Sequence, residues 1–247
     1  MNALTNGLTI FVESTQKTYH TIRDWDLALG NNNYIGDPSM ETNYINVPYR
    51  DGYIDASTAM TGRPVYKARQ LSFEFGGLRD RMNWDSVISK LRNDIHGRIC
   101  QITLDNDPHY YWRGRVYVTK FDRTRELGQF TISIPQAEPY KYYYKDSTEP
   151  WEWDPFNFLT DSITYADQWT VDGTLVKTIG AGHMPTIPTF EVTNLVNSLT
   201  VATGGMTFNL VSGKNTFPEI TVGGDEAVEL TFTGHGKVQI IYKAGSL

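Results

Sequence analysis

A single cysteine, Cys100, in 247 residues excludes an internal disulfide. The fold must therefore rest on an apolar core. Long hydrophobic runs are missing too: none approaches the ~18–20 residues of a membrane-crossing helix. The N-terminus, Met1-Asn2-Ala3-Leu4-Thr5, has no basic stretch leading into an apolar one, which argues against a secretory signal. The five histidines, His20, His96, His109, His183 and His235, are scattered and form no zinc-ligand spacing. No Gly-x-Ser-x-Gly elbow, dinucleotide fingerprint or phosphate loop is present. Carboxylate pairs of glycoside hydrolases leave no fixed sequence spacing to read. Asp105-Asn106-Asp107 resembles a fragment of a calcium loop. However, Tyr110 and Val116 stand where such a loop needs Gly and Glu, so a polar turn is expected. The chain is thus expected to be no enzyme and to take no cofactor or metal.

Arginine is missing from the C-terminal part. Residues 1–140 hold 16 Lys+Arg against 16 Asp+Glu, including every arginine; residues 141–247 hold 6 Lys against 12 Asp+Glu. The net charge of −6 argues against general nucleic-acid binding. Arg forks suit carboxylates and are enriched at interfaces, so the first part reads as the assembly domain and the second as an acidic appendage.

Aromatic residues make up 13% of the chain, with 15 tyrosines, which points to β structure and interaction surfaces. Ile10–Val12 and Thr21–Leu29 read as strands, as do Tyr44–Val47, Leu71–Phe75, Ile99–Leu104 and Arg113–Phe121. Phe130, Ile132 and Ile134 alternate as a further strand. Cys100 alternates with Ile102 and Leu104, so a buried small hydrophobe is expected rather than a reactive thiol. Trp84, Val87, Ile88, Leu91 and Ile95 share one helical face, with Asn83 placed to cap the helix and Gly97 to end it. His96 is expected to favour the negative helix end.

Beyond Pro185 the pattern is purely β. Met206/Phe208/Leu210, Val228/Leu230/Phe232 and Val238/Ile240/Tyr242 alternate. Turns are expected at Gly204-Gly205, Gly213, Gly223-Gly224 and Gly234–Gly236, a sandwich rhythm. Trp151 and Trp153, beside Glu152 and Asp154, mark either a packed domain junction or a sugar contact.

Pro48 and Gly52 bracket a charged turn, Arg50-Asp51, between strand-like runs: proline presets φ and glycine supplies φ > 0. The ordered set Val47-Pro48-Tyr49-Arg50-Asp51-Gly52-Tyr53-Ile54-Asp55, then Arg69-Gln70-Leu71-Ser72-Phe73-Glu74-Phe75, resembles the N-terminal half of phage distal tail proteins. Leu91–Gly97, Ile102–Arg115, Pro139–Tyr142, Trp153–Phe158 and Gly234–Tyr242 extend the resemblance in the family's order over nearly the whole chain.

The resemblance implies a mainly β chain: a tail-tube-like sandwich or barrel with one α-helix at 1–140, and a galectin-like β-sandwich at 141–247. It implies a structural virion protein of a siphovirus tail tip, made in the host cytoplasm. Six copies would close a homohexameric baseplate hub ring that lets DNA through in transit. Its partners would be the tail-tube protein, the tail-associated hub protein and receptor-binding proteins of host adsorption. A carbohydrate-binding module serving wall attachment is the alternative. At the ring interface the expected residues are Arg50, Asp51, Arg63 and Arg69, with Asp51 facing an arginine across the subunit boundary.

Overall fold

The computed structural model describes residues 6–77, 84–123, 128–149, 167–180, 182–224 and 226–247. The chain divides into two compact units, Met1–Lys141 and Tyr142–Leu247. Both are mainly β.

In chain order the first unit holds β1 (Leu8–Val12), β2 (Lys17–His20), α1 (Thr21–Trp25), β3 (Leu27–Leu29), β4 (Tyr34–Ile35), β5 (Tyr44–Asn46) and β6 (Tyr53–Asp55). It continues with β7 (Arg69–Gly77), α2 (Trp84–Ile95), β8 (Ile99–Leu104), β9 (Asp107–Arg115), β10 (Tyr117–Arg123) and β11 (Gly128–Ala137). One antiparallel sheet runs β9–β8–β1–β2, and a second runs β10–β11–β7–β3 with β4 also on β7. Alternation puts one face of each sheet into a shared core. Leu8, Ile10 and Val12 of β1, Phe73 and Phe75 of β7, and Phe130 and Ile132 of β11 are all 0% exposed. Cys100 and Ile102 of β8 join them. Helix α2 buries the stripe that the spacing predicts: Trp84, Ile88, Leu91 and Ile95 are buried, and the Trp84 ring lies 5.4 Å from that of Phe130. Gly97, at φ +74, ends the helix as expected. Asn83, the expected cap, lies outside the described residues.

Of three local expectations in the first unit, two are corrected and one is extended. Thr21–Trp25 is a helix, not a strand. His20 caps it: its ring accepts from the Arg23 N–H, and the Asp24 carboxylate accepts the His20 N–H at 2.6 Å. These bonds satisfy two of the free donors at the helix start and outweigh a weak alternation. Second, Arg113–Phe121 is two strands. Val116 leaves the ladder, donating to the Arg98 carbonyl at 2.9 Å and accepting from the Gly97 N–H at 2.7 Å. The chain thereby passes from β9 in one sheet to β10 in the other. Third, His96 does more than sit at a helix end. Its Nδ1 accepts the Val118 N–H at 3.1 Å, joining the end of α2 to β10.

β12 (Lys141–Tyr143) spans the boundary between the units. The second unit holds β13 (Trp169–Ile179), β14 (Thr189–Thr203), β15 (Met206–Leu210), β16 (Gly213–Thr216), β17 (Val228–Ile241) and β18 (Gly245–Ser246). Its main sheet is antiparallel, β13–β17–β14–β15, with β16 on β14. Phe190, Val201, Leu230, Phe232 and Ile240 are fully buried in a core of their own. Gly204-Gly205 form the expected tight turn between β14 and β15, both at positive φ. Gly234–Gly236 form no turn: β17 runs straight through them. Gly234, at φ +129, lets the backbone pass so close to β14 that a Cβ would sit 2.1 Å from the Ser198 oxygen. The glycines mark an irregularity in a long strand, where the pairing with β14 shifts register on either side of Val196.

Candidate functional site

The Arg50-Asp51 hairpin is the tip of a much longer two-stranded arm. The ladder starts at the body, where β4 pairs with β7 through Tyr34–Ser72 and Ile35–Leu71. It continues through the Gly36 N–H to the Gln70 carbonyl, Lys67 N–H to Ser39, a Met40–Tyr66 bridge and Glu41 N–H to Val65. A turn at 56–62 widens one strand, closed by the Gly62 N–H on the Thr58 carbonyl at 2.8 Å. Ala56 then bonds to Asn43, and β5 pairs with β6 out to the tip. The sequence reading finds the tip and β7 but not the ladder between them. Its paired segments are short and irregular, and they carry no alternation.

The tip is a tight turn. Arg50 N–H bonds to the Val47 carbonyl at 3.2 Å, with Pro48 first and Tyr49 second of the central residues. Tyr49 has φ +65, the geometry of a type II turn, where glycine or asparagine is usual. A tyrosine held there costs on the order of 1–2 kcal/mol, and it is 110% exposed, so no packing within the chain offsets the cost. Further apolar side chains of the arm are also exposed: Tyr44 58%, Ile45 47%, Tyr53 67% and Met60 98%. An isolated two-stranded ribbon is marginal in water. This one presents tyrosines and isoleucines on both faces, as a surface built to be covered would.

The four arginine and aspartate candidates part company here. Arg50 and Asp51 are exposed at the tip, and their side chains make no bond to a described residue. Arg63 is half-buried near the turn at 56–62. Arg69 differs from all of them. It starts β7 on the core-facing side, in phase with Leu71, Phe73 and Phe75, and is only 6% exposed. Its guanidinium stacks 4.6 Å from the ring centroid of Trp112, which comes from the opposite sheet. Burial pulls the Arg69 pKa below its ordinary value, and exposed Asp37 opposes this through space. Trp151 and Trp153 lie outside the described residues.

A second cationic cluster is already satisfied. Arg113 clamps Glu13 with two bonds, 2.7 and 2.9 Å, and also bonds Glu138. These carboxylates, Glu13 foremost, raise its pKa. Arg98 and Arg115 border a cleft of about 450 Å³ beside Glu13, yet they donate to the Asn93 and Gly97 carbonyls at the end of α2. Asp105, in the turn that resembled a calcium loop, accepts from the Gly7 N–H at 2.8 Å and meets the His20 ring at 3.1 Å. That is a polar turn tying the chain start to β8.

No family model matches the chain, and no curated protein matches it in sequence. A solved structure does: the Dit (gp 19.1) protein of phage SPP1, described as a paradigm of the hub adsorption apparatus in phages that infect Gram-positive hosts. Identity is 12%, the TM-score is 0.60, and the match covers 97% of this chain and 99% of that one. The chain has the fold of that hub protein. Both units are included, since nearly the full length of each chain aligns. The virion of a gene transfer agent particle also matches, at 14% identity and a TM-score of 0.27, over 51% of this chain and 89% of that one.

Proposed function

We propose that this chain is a structural virion protein, a distal tail hub whose copies close a ring at the tip of a phage tail tube. The likeness to the SPP1 hub protein over nearly the whole length of both chains carries this reading. The exposed arm supports it independently: a ribbon with apolar side chains on both faces fits a chain that is completed by other chains. The ring is a homohexamer with an open centre through which DNA passes, and its interface includes Arg50, Asp51, Arg63 and Arg69. The first unit seats on the tail-tube protein. The acidic second unit offers a platform to the tail-tip hub and receptor-binding proteins of the adsorption apparatus. The work is done by shape and repeated contacts rather than by catalysis, and it takes place in the virion after synthesis in the host cytoplasm.

Tube capping tests this reading. Tail tubes assembled from the tube protein are mixed with the purified chain and viewed by negative stain. A ring on one end of each tube is expected. Tubes that stay bare at both ends, with the chain left in solution, contradict it.

A further inference from the structure

The root of the arm holds a cation that the described residues leave without a carboxylate partner. Arg69 is nine-tenths buried between two sheets, and its Nε is enclosed with no hydrogen-bond partner. Among the described residues no carboxylate comes within ion-pair distance of it; Asp37 acts on it only through space. Trp112 supplies one face of contact, but a ring face does not fill the in-plane donor positions of a guanidinium. A buried cation without a carboxylate is unfavourable, and an apolar side chain would close the same end of the core without that cost. Arginine at this position makes sense when an anion arrives from outside, because its planar fork is preorganised for a carboxylate.

We propose that Arg69 receives Asp51 from a second copy of this chain, so that the arm tip of one subunit docks at the arm root of the next. This rests on the ring reading above. Asp51 is exposed at the tip and has no partner among the described residues. Asp55, the nearest other acid on the distal arm, is already engaged by the Ser57 hydroxyl and N–H. Within one chain the two groups are held apart: the ladder between them runs for about twelve residues, up to ~40 Å at ~3.3 Å per residue. Only another copy brings them together. A tip-to-root contact made once between two neighbours is heterologous and closes a ring when repeated around an axis, whereas two reciprocal copies of it would give a two-fold dimer. Arg50 and Arg63, more exposed, are solvated already and gain less from a carboxylate than Arg69 does.

Two readouts test the pairing in the full chain. Cys100 is buried and silent, so single cysteines can be added to the native sequence. Chains carrying Arg50→Cys, which keep Asp51, are mixed with chains carrying Lys67→Cys, exposed two residues before Arg69, and treated with a short thiol cross-linker. Separately, association is measured by light scattering for Asp51→Asn, Arg69→Met and the double variant. The pairing predicts the mixed cross-link. It also predicts a loss of association of roughly thirty-fold or more for either substitution, with little further loss for the double variant. Arg69→Met should leave the melting temperature of the monomer unchanged or raised, because it removes a buried cation; a merely structural Arg69 would lower it. Oligomers that form without the mixed cross-link, or cross-link tip to tip, overturn the pairing and leave the ring reading standing. So do single effects that simply add. A chain that never associates, alone or on tail tubes, overturns both.

Discussion

At the residue scale the fold shows where polar groups are placed against preference and where they are not. Tyr49 is held at positive φ in open solvent, and Arg69 is buried without a carboxylate in ion-pair distance among the described residues. Both belong to the arm, and both are unfavourable within a single chain. Arg113, by contrast, is fully answered by Glu13 and Glu138. Cys100 behaves as its alternation predicts. It is 0% exposed, and burial first, then the Glu13 charge, pushes its thiol up to about 12. An unfolded thiol titrates near ~8.5. Between those values the folded chain keeps a proton that the unfolded chain loses, so stability from this group is full below pH ~8.5 and falls as pH rises toward 12. Comparison with Cys100→Val isolates the effect. The wild type should lose up to about 1.4 kcal/mol per pH unit relative to the variant above pH ~9 in urea unfolding. A difference that stays flat with pH would contradict the assignment.

At the element scale, what could be read in the sequence followed from periodicity. Helix α2 was legible because Trp84, Ile88, Leu91 and Ile95 repeat at helical spacing and Gly97 stops them. β7 and β11 were legible because apolar residues alternate. Helix α1 was not, since a five-residue element defined by its caps has too few positions for a period. The arm was legible only at its tip, where Pro48 and Gly52 carry turn chemistry. Its long flanks follow from the pairing of residues 36–46 with residues 53–70, which is a property of the folded chain. Arg69 read as an interface residue; its spacing puts it in phase with Leu71 and Phe73, but that this first position of β7 is buried against Trp112 is a property of the fold. Gly234 illustrates the opposite error: a glycine that signals a turn instead permits a close approach of strands. Gly173 pairs with it in register and also has positive φ, at +88, but faces open space. Gly234→Ala should therefore cost at least ~2 kcal/mol, and Gly173→Ala only its backbone strain, about 1–2 kcal/mol. Urea unfolding of the two variants checks the order; equal losses would mean that the contact with Ser198 relaxes away.

At the scale of the whole molecule, the uneven charge gains a physical meaning. All arginines lie in residues 1–140, where net charge is balanced, while residues 141–247 carry six more acids than lysines. A balanced first unit can bring copies of itself together without net repulsion, as the proposed ring requires. The acidic second unit repels its own copies and stays solvated. Repeated heterologous contacts of this kind bury on the order of 2,000 Å² in total at each permanent interface. The exposed arm is the element of the first unit best suited to supply a share of that area.

The most direct test is the molar mass of the chain by light scattering, alone and with tail-tube protein, with negative-stain images of the same peak. The account predicts six copies of the 28.1 kDa subunit in a six-fold ring with an open centre. A chain that remains a monomer under both conditions, or that closes into a two-fold dimer, contradicts it.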